Sequence, residues 1–140
     1  MRAEDPKLPI RNLDYAVIFA RRMTAMCEFY ETTLGFPLHR KLSPKWVEFR
    51  VGSSLVAIAE PGGLFDDPVL PVGVLSLQLA FRVAPDEVDL CAATLRERGV
   101  ELILGPTDRS FGHRTLFFRD PDGNVIEIYA EIPCGPGIAT

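Results

Sequence analysis

The sequence lacks what a membrane protein, a nucleic-acid binder or a disulfide-built scaffold would need. No apolar run approaches the roughly 20 residues of a bilayer span. Residues 1–12 carry two acids and two prolines but no apolar stretch, so they do not read as a signal peptide. A cytoplasmic protein with no membrane partner is the resulting expectation. The net charge is -4, and no basic run or basic-aromatic stripe offers an anionic polymer a footprint, so no nucleic-acid partner is expected. Cysteine is scarce. Cys27, Cys91 and Cys134 are three, so they cannot all pair, and their spacing matches no zinc or redox motif. Cys27 and Cys91 fall inside helical patterns and read as small buried hydrophobes. Histidine is scarcer still, with only His39 and His113.

What is present fits one domain of ordinary size or two small modules sharing a core: 140 residues, 47% of them hydrophobic and 24% charged. Leu13–Ala20 reads as a buried strand. Thr24–Leu34 reads as a helix, with Met26, Phe29, Tyr30 and Leu34 on one face and Gly35 as its stop. Strand-like runs follow at Pro37–Leu42, Trp46–Val51 and Ser54–Glu60. The stretch Pro61–Gly73, rich in Pro, Gly and Asp, is the one plausible linker, and whether it closes over a site is left open. Beyond it the same order returns. Leu75–Val83 is a strand, Asp86 is placed to cap a helix striped by Val88, Cys91, Ala92 and Leu95, and Gly99 ends it. Glu101–Leu104, Arg114–Arg119 and Val125–Glu131 are strands, with Asp120-Pro121-Asp122-Gly123 as a turn. Laying Tyr15 on Gln78 and Ala57 on Glu127 superposes the halves, a repeat of strand, helix and three strands. The division is therefore an extension (1–12), a first module (13–60), a linker (61–73), a second module (74–132) and a tail (133–140).

Alternation splits each strand into two faces. One face is nearly all apolar and should carry the helices: Ile18, Val47, Phe49, Ile58, Leu116, Phe118, Ile126 and Ile128 are among its members. The other mixes aromatic, small and polar residues, including Tyr15, Phe19, Trp46, Glu48, Ala57, Gln78, Phe117, Glu127 and Tyr129. A solvated face would be dominated by Lys, Glu, Thr and Ser, so this composition fits a ligand cavity, or a sheet or subunit interface. Trp46, Phe19, Phe117 and Tyr129 read equally as a stacking platform or as core aromatics. Arg50, Arg82 and Arg119 read first as surface residues and second as partners of an acidic ligand. His39 is expected near a loop and solvated.

The segments Leu13-Asp14-Tyr15-Ala16-Val17, Cys27-Glu28-Phe29-Tyr30 through Leu34-Gly35-Phe36, Gln78-Leu79-Ala80-Phe81, and Gly112 through Ile128 with its DPDGNVIE hairpin, resemble the vicinal oxygen chelate superfamily over about residues 10–132. That superfamily includes glyoxalases, bleomycin-resistance proteins and extradiol dioxygenases. The resemblance implies an α+β fold in which two βαβββ modules form a curled mixed sheet around a cavity, helices on its outer face. It also implies a homodimer, side-by-side or swapped. Metal-dependent members take one ligand from each of four strands, and those places fall on Tyr15, Ala57, Gln78 and Glu127, all on the mixed face.

A catalytic divalent ion wants three or four ligands from His, carboxylate or Cys. Glu127 qualifies and Gln78 offers a carbonyl oxygen, but Tyr15 would have to ionise from a pKa near 10 and Ala57 offers nothing. His113 is a possible substitute, although it reads first as a hairpin-end histidine bonded to backbone. The expectation is a metal-free Tyr15–Gln78–Glu127 cluster, no cofactor, and a small aromatic or amphipathic ligand held by Tyr15, Phe19, Trp46, Glu48, Gln78, His113, Phe117, Glu127 and Tyr129. The alternative is a glyoxalase-like lyase or isomerase, with one divalent ion on Gln78, Glu127 and either Tyr15 or His113, and Glu127 as catalytic base. A dioxygenase is disfavoured within that alternative because its iron wants two His and a carboxylate. A dimeric structural module with a vestigial pocket is the third reading.

Overall fold

The computed structural model describes residues 7–134. The ends of the expected extension and tail, 1–6 and 135–140, lie outside the described residues. The element order is β1 (Tyr15–Phe19), α1 (Met23–Glu28), a π-helical turn (Phe29–Thr33), β2 (Leu38–Ser43), β3 (Trp46–Val51) and β4 (Ser54–Ala59). It continues with β5 (Gln78–Arg82), a 3-10 turn (Pro85–Glu87), α2 (Val88–Glu97), β6 (Leu102–Arg109), β7 (His113–Arg119) and β8 (Val125–Glu131). These form two four-stranded mixed sheets, ordered β1-β4-β3-β2 and β5-β8-β7-β6. The fold is α+β with two βαβββ modules, and its curl is divided between two sheets without closing into a barrel.

The repeat is visible in the hydrogen-bond register. β1 runs parallel to β4 with Tyr15 opposite Leu55 and Val17 opposite Ala57. β5 runs parallel to β8 with Gln78 opposite Val125 and Ala80 opposite Glu127. The superposition that lays Tyr15 on Gln78 and Ala57 on Glu127 therefore carries one module's ladder onto the other's without a slip. A one-residue slip would have turned every side chain to the opposite face.

The apolar faces of both sheets enter one core. Ile18, Phe49, Val56 and Ile58 from the first sheet and Leu116, Phe118, Ile126 and Ile128 from the second belong to a single buried cluster. Met26, Phe29 and Tyr30 of the first helical segment and Val88, Ala92 and Leu95 of α2 complete it. Phe29 tilts against Phe118 at 6.2 Å, and Phe36 meets Phe81 edge-on at 5.1 Å, so aromatic contacts cross between modules. Because both apolar faces look into this core, the two mixed faces look away from it.

Three local readings need correction. The first helix does not run evenly to Leu34. It changes to a π turn closed by the Leu34 N–H bonding to the Phe29 carbonyl at 2.9 Å, and this wider turn accommodates two successive buried aromatics, Phe29 and Tyr30. Asp86 does not cap α2. The Glu87 carboxylate accepts the Ala84 N–H at 2.8 Å, because Pro85 and Asp86 are themselves inside a 3-10 turn that starts the helix earlier. β6 extends beyond Leu104 to Arg109, pairing along β7 through irregular register. Among the described residues no helix is long and apolar enough to cross a membrane.

Candidate functional site

The hairpin DPDGN, the most distinctive string in the sequence, turns out to hold the modules together. The Asp122 carboxylate accepts the backbone N–H groups of Arg21 and Arg22 at 2.8 and 3.0 Å, at the start of α1. The Asp120 carboxylate accepts the Tyr30 hydroxyl at 2.8 Å, the Asn124 side-chain amide at 2.9 Å, and two N–H groups of its own turn. Both acids are buried, and both are satisfied, as buried carboxylates must be. Burial first, then the charge of Asp120 and its hydrogen bond, pushes the Tyr30 phenol well above its usual range, so it remains a donor. The turn closes against the linker, where Gly73 N–H bonds to the Asp122 carbonyl at 3.0 Å.

The expected site residues divide between the two sheets. Tyr15, Phe19, Trp46 and Glu48 lie on the mixed face of the first, and Gln78, His113, Phe117, Glu127 and Tyr129 on that of the second. On the second sheet Gln78 donates to a Glu127 oxygen at 3.1 Å, as expected for two members of the cluster. The third, Tyr15, belongs to the other sheet and makes no side-chain hydrogen bond to either one among the described residues. His113 stacks on Tyr129 at 4.6 Å and meets Phe111 edge-on at 5.2 Å, and among the described residues its ring makes no hydrogen bond to backbone. Arg82 lies over Tyr129 at 5.8 Å and pairs with Glu131, while Arg119 is tied to the Gly123 carbonyl at 2.9 Å.

On the first sheet, Tyr15, Val17, Phe19 and Trp46 form the wall of a cavity of about 440 Å³, within the usual size range for small-molecule sites. Leu64 and Phe65, from the segment read as a linker, form its other side. Sequence reasoning missed these two because Pro and Gly around them signalled a connection. The usable signal was the adjacent pair Leu64-Phe65, the one aromatic of the segment among them, since large apolar residues in a loop suggest that it covers something. Beside the cavity, Glu48 is 6% exposed. Trp46 Nε1 donates to its Oε2 at 2.7 Å and Arg40 Nε to its Oε1 at 2.9 Å. Burial works to raise the Glu48 carboxyl, but hydrogen bonds from Trp46 and Arg40 and the nearby charges of Arg40 and His39 outweigh it, leaving it below its ordinary value. His39 is exposed near the start of β2, close to the loop that precedes the strand, and its Nδ1 is 3.1 Å from Arg50 Nη2.

The donor set does not fit the divalent ion that this architecture holds in its metal-dependent members. Glu127 and Gln78 supply one carboxylate and one amide, already bonded to each other, and the equivalent places in the first module are Tyr15 and the fully buried Ala57. Among the described residues no cluster of three or more His, Cys, Asp or Glu side chains could hold an ion.

Two four-stranded sheets built by a repeated βαβββ unit, with mixed faces turned outward, define a class that comparison identifies directly. A family model described as the glyoxalase/bleomycin resistance protein/dioxygenase superfamily matches residues 12–128. The chain belongs to that superfamily. It is 30% identical over 126 residues to the glyoxalase domain-containing protein RDO1 of Mycosarcoma maydis, covering 87% of this chain and 69% of the relative. Its fold matches that of a glyoxalase/bleomycin resistance protein/dioxygenase from Nocardioides, with a TM-score of 0.79 at 22% identity, over 96% of this chain and 93% of that one. It also matches the lactoylglutathione lyase of Agrobacterium tumefaciens, with a TM-score of 0.70 at 19% identity, over 88% of this chain and 96% of that one.

Proposed function

We propose that this protein binds a small planar aromatic or amphipathic molecule on the mixed face of its first sheet, without a metal and without chemistry. The observation that carries this reading is the 440 Å³ cavity walled by Tyr15, Phe19, Trp46 and Phe65, where flat apolar side chains outnumber polar ones. Such walls bind by area and stacking, with a few polar groups to set orientation. The degenerate donor set around Gln78 and Glu127 supports the absence of a metal ion from the function. We further propose a cytoplasmic homodimer. Tyr15 and Phe19 remain 54% and 40% exposed on a face turned away from the core, and a second copy laid over it would bury them and enclose the ligand.

The test is a titration with anilinonaphthalene sulfonate, a planar amphipathic dye, read by energy transfer from the single tryptophan. Saturable binding with transfer from Trp46, weakened about tenfold or more in Phe65→Ala, is the expected result. Dye that binds without transfer, or equally well to the variant, would place binding elsewhere and end this reading.

A second reading keeps one specific support. The Glu127 carboxylate uses one oxygen on Gln78, leaving the other available as a base in glyoxalase-like lyase or isomerase chemistry. Elemental analysis after reconstitution with zinc, nickel, manganese and iron separates the two. One ion per chain, lost in Glu127→Ala, would favour the enzyme; no stoichiometric metal is the expected result.

A further inference from the structure

Trp46 is the only tryptophan of the chain and a wall of the cavity, and its ring is held by a hydrogen bond from its N–H. The fixing group lies behind it. We propose that Glu48 is the positioning residue of this pocket: by accepting the indole N–H it sets the plane of Trp46 and leaves the ligand only the π face of that ring. The inference rests on the reading of the cavity as a ligand site.

A carboxylate as buried as Glu48 is costly unless hydrogen bonds and opposite charge compensate it. Here Oε2 takes the indole N–H at 2.7 Å and Oε1 takes the Arg40 guanidinium at 2.9 Å, both short charge-assisted bonds. His39 Nε2 stands 3.9 Å from the same Oε1, and Arg50 holds the other His39 nitrogen, so three side chains back Glu48. The strand beside β3 makes room for this arrangement. Ala57 is the residue opposite Glu48 and Ala59 the one opposite Trp46, and both are essentially inaccessible.

The second module has no counterpart. Its equivalent pairs are Phe117 opposite Glu127 and Thr115 opposite Tyr129, so the acid sits one strand over and no indole is present. The device is therefore specific to the first sheet, where the cavity is. Its consequence for specificity is direct. Because the indole N–H is consumed inside the protein, Trp46 offers a ligand no donor, while a ligand that presents a flat face meets a surface already held in place. Pre-ordering one large side chain is worth about three- to tenfold in affinity.

The test uses Glu48→Leu, which removes the acceptor, and Glu48→Gln, which keeps an oxygen for the indole. Without any ligand, Glu48→Leu should shift the Trp46 emission and raise its quenching by acrylamide at least twofold, while Glu48→Gln stays close to the parent. With anilinonaphthalene sulfonate, Glu48→Leu should bind about three- to tenfold more weakly and Glu48→Gln within twofold of the parent. Should Glu48→Leu not fold, Arg40→Met, at a largely exposed position, removes one of the two anchors and should raise quenching to a smaller extent. Unchanged emission and quenching in Glu48→Leu, or in Arg40→Met if that is the variant in hand, would overturn the positioning role whatever the dye does. A parent protein that binds no dye would instead remove the ligand-site reading, with the dye-free spectra still deciding whether Glu48 holds Trp46.

Discussion

At the scale of single residues, the buried acids of the DPDGN turn tie the second module to the first through specific hydrogen bonds. Asp122 is fully buried and accepts two N–H groups that open α1, from 100 and 101 residues away. Asp122→Ala would leave both donors unpaired and should cost about 3 kcal/mol, read as a lower midpoint of denaturant unfolding. Tyr30 gives a pH signature. Its folded-state pKa is raised by burial and then by Asp120, so its stabilising contribution is intact below the ordinary tyrosine value of about 10. As pH rises past that value the unfolded phenol ionises first, and stability falls. Thermal melts between neutrality and about pH 11 should show this loss, and Tyr30→Phe should show less of it.

At the scale of elements, the turn and the linker are packed as one unit. Gly123 has φ +93°, and a Cβ there would stand 2.9 Å from the Gly73 Cα. Gly123→Ala therefore combines left-handed strain with a backbone clash, and should cost about 2 kcal/mol or more. The relief is to push the linker away, so limited proteolysis should cut within 61–73 faster in this variant. Equal cleavage rates would mean that the turn yields and the linker does not. The π turn is held from the other module as well, by Arg98 donating to the Thr33 carbonyl at 2.6 Å. A wide turn at the end of α1 is thus kept where Phe29 and Tyr30 need it.

At the scale of the whole molecule, one core serves both sheets, so the two modules should not melt separately. Phe118 is fully buried and touches Phe29 of the other module. Phe118→Ala should lower stability by about 3–5 kcal/mol and leave a single cooperative transition in calorimetry. Two transitions would show that the modules are independent and only stacked. The outward mixed faces give the complementary expectation. Light scattering should report twice the chain mass, and Phe19→Glu, which puts a charge on the face to be covered, should favour the monomer.

Most of this fold was legible because it depends on short-range pattern. Period-two alternation separated the apolar face from the mixed one, and the glycine stops and the DPDGN turn marked where elements end. The internal repeat could be aligned to the residue, since strand register allows no slip without reversing a face. The site was less legible. Nine candidate residues share one kind of face, but alternation says only which side of a strand a group occupies, not which sheet it joins, so Tyr15 was grouped with Gln78 and Glu127. Sequence by itself determined the modules, their faces and the poverty of metal donors. Only the tertiary structure decided that both apolar faces enter one core, that the linker supplies Leu64 and Phe65 to a cavity, and that a turn acid anchors the backbone just before a helix 100 residues earlier. Those contacts join residues far apart in the chain, and the choice among them is made by burial and hydrogen-bond satisfaction in three dimensions.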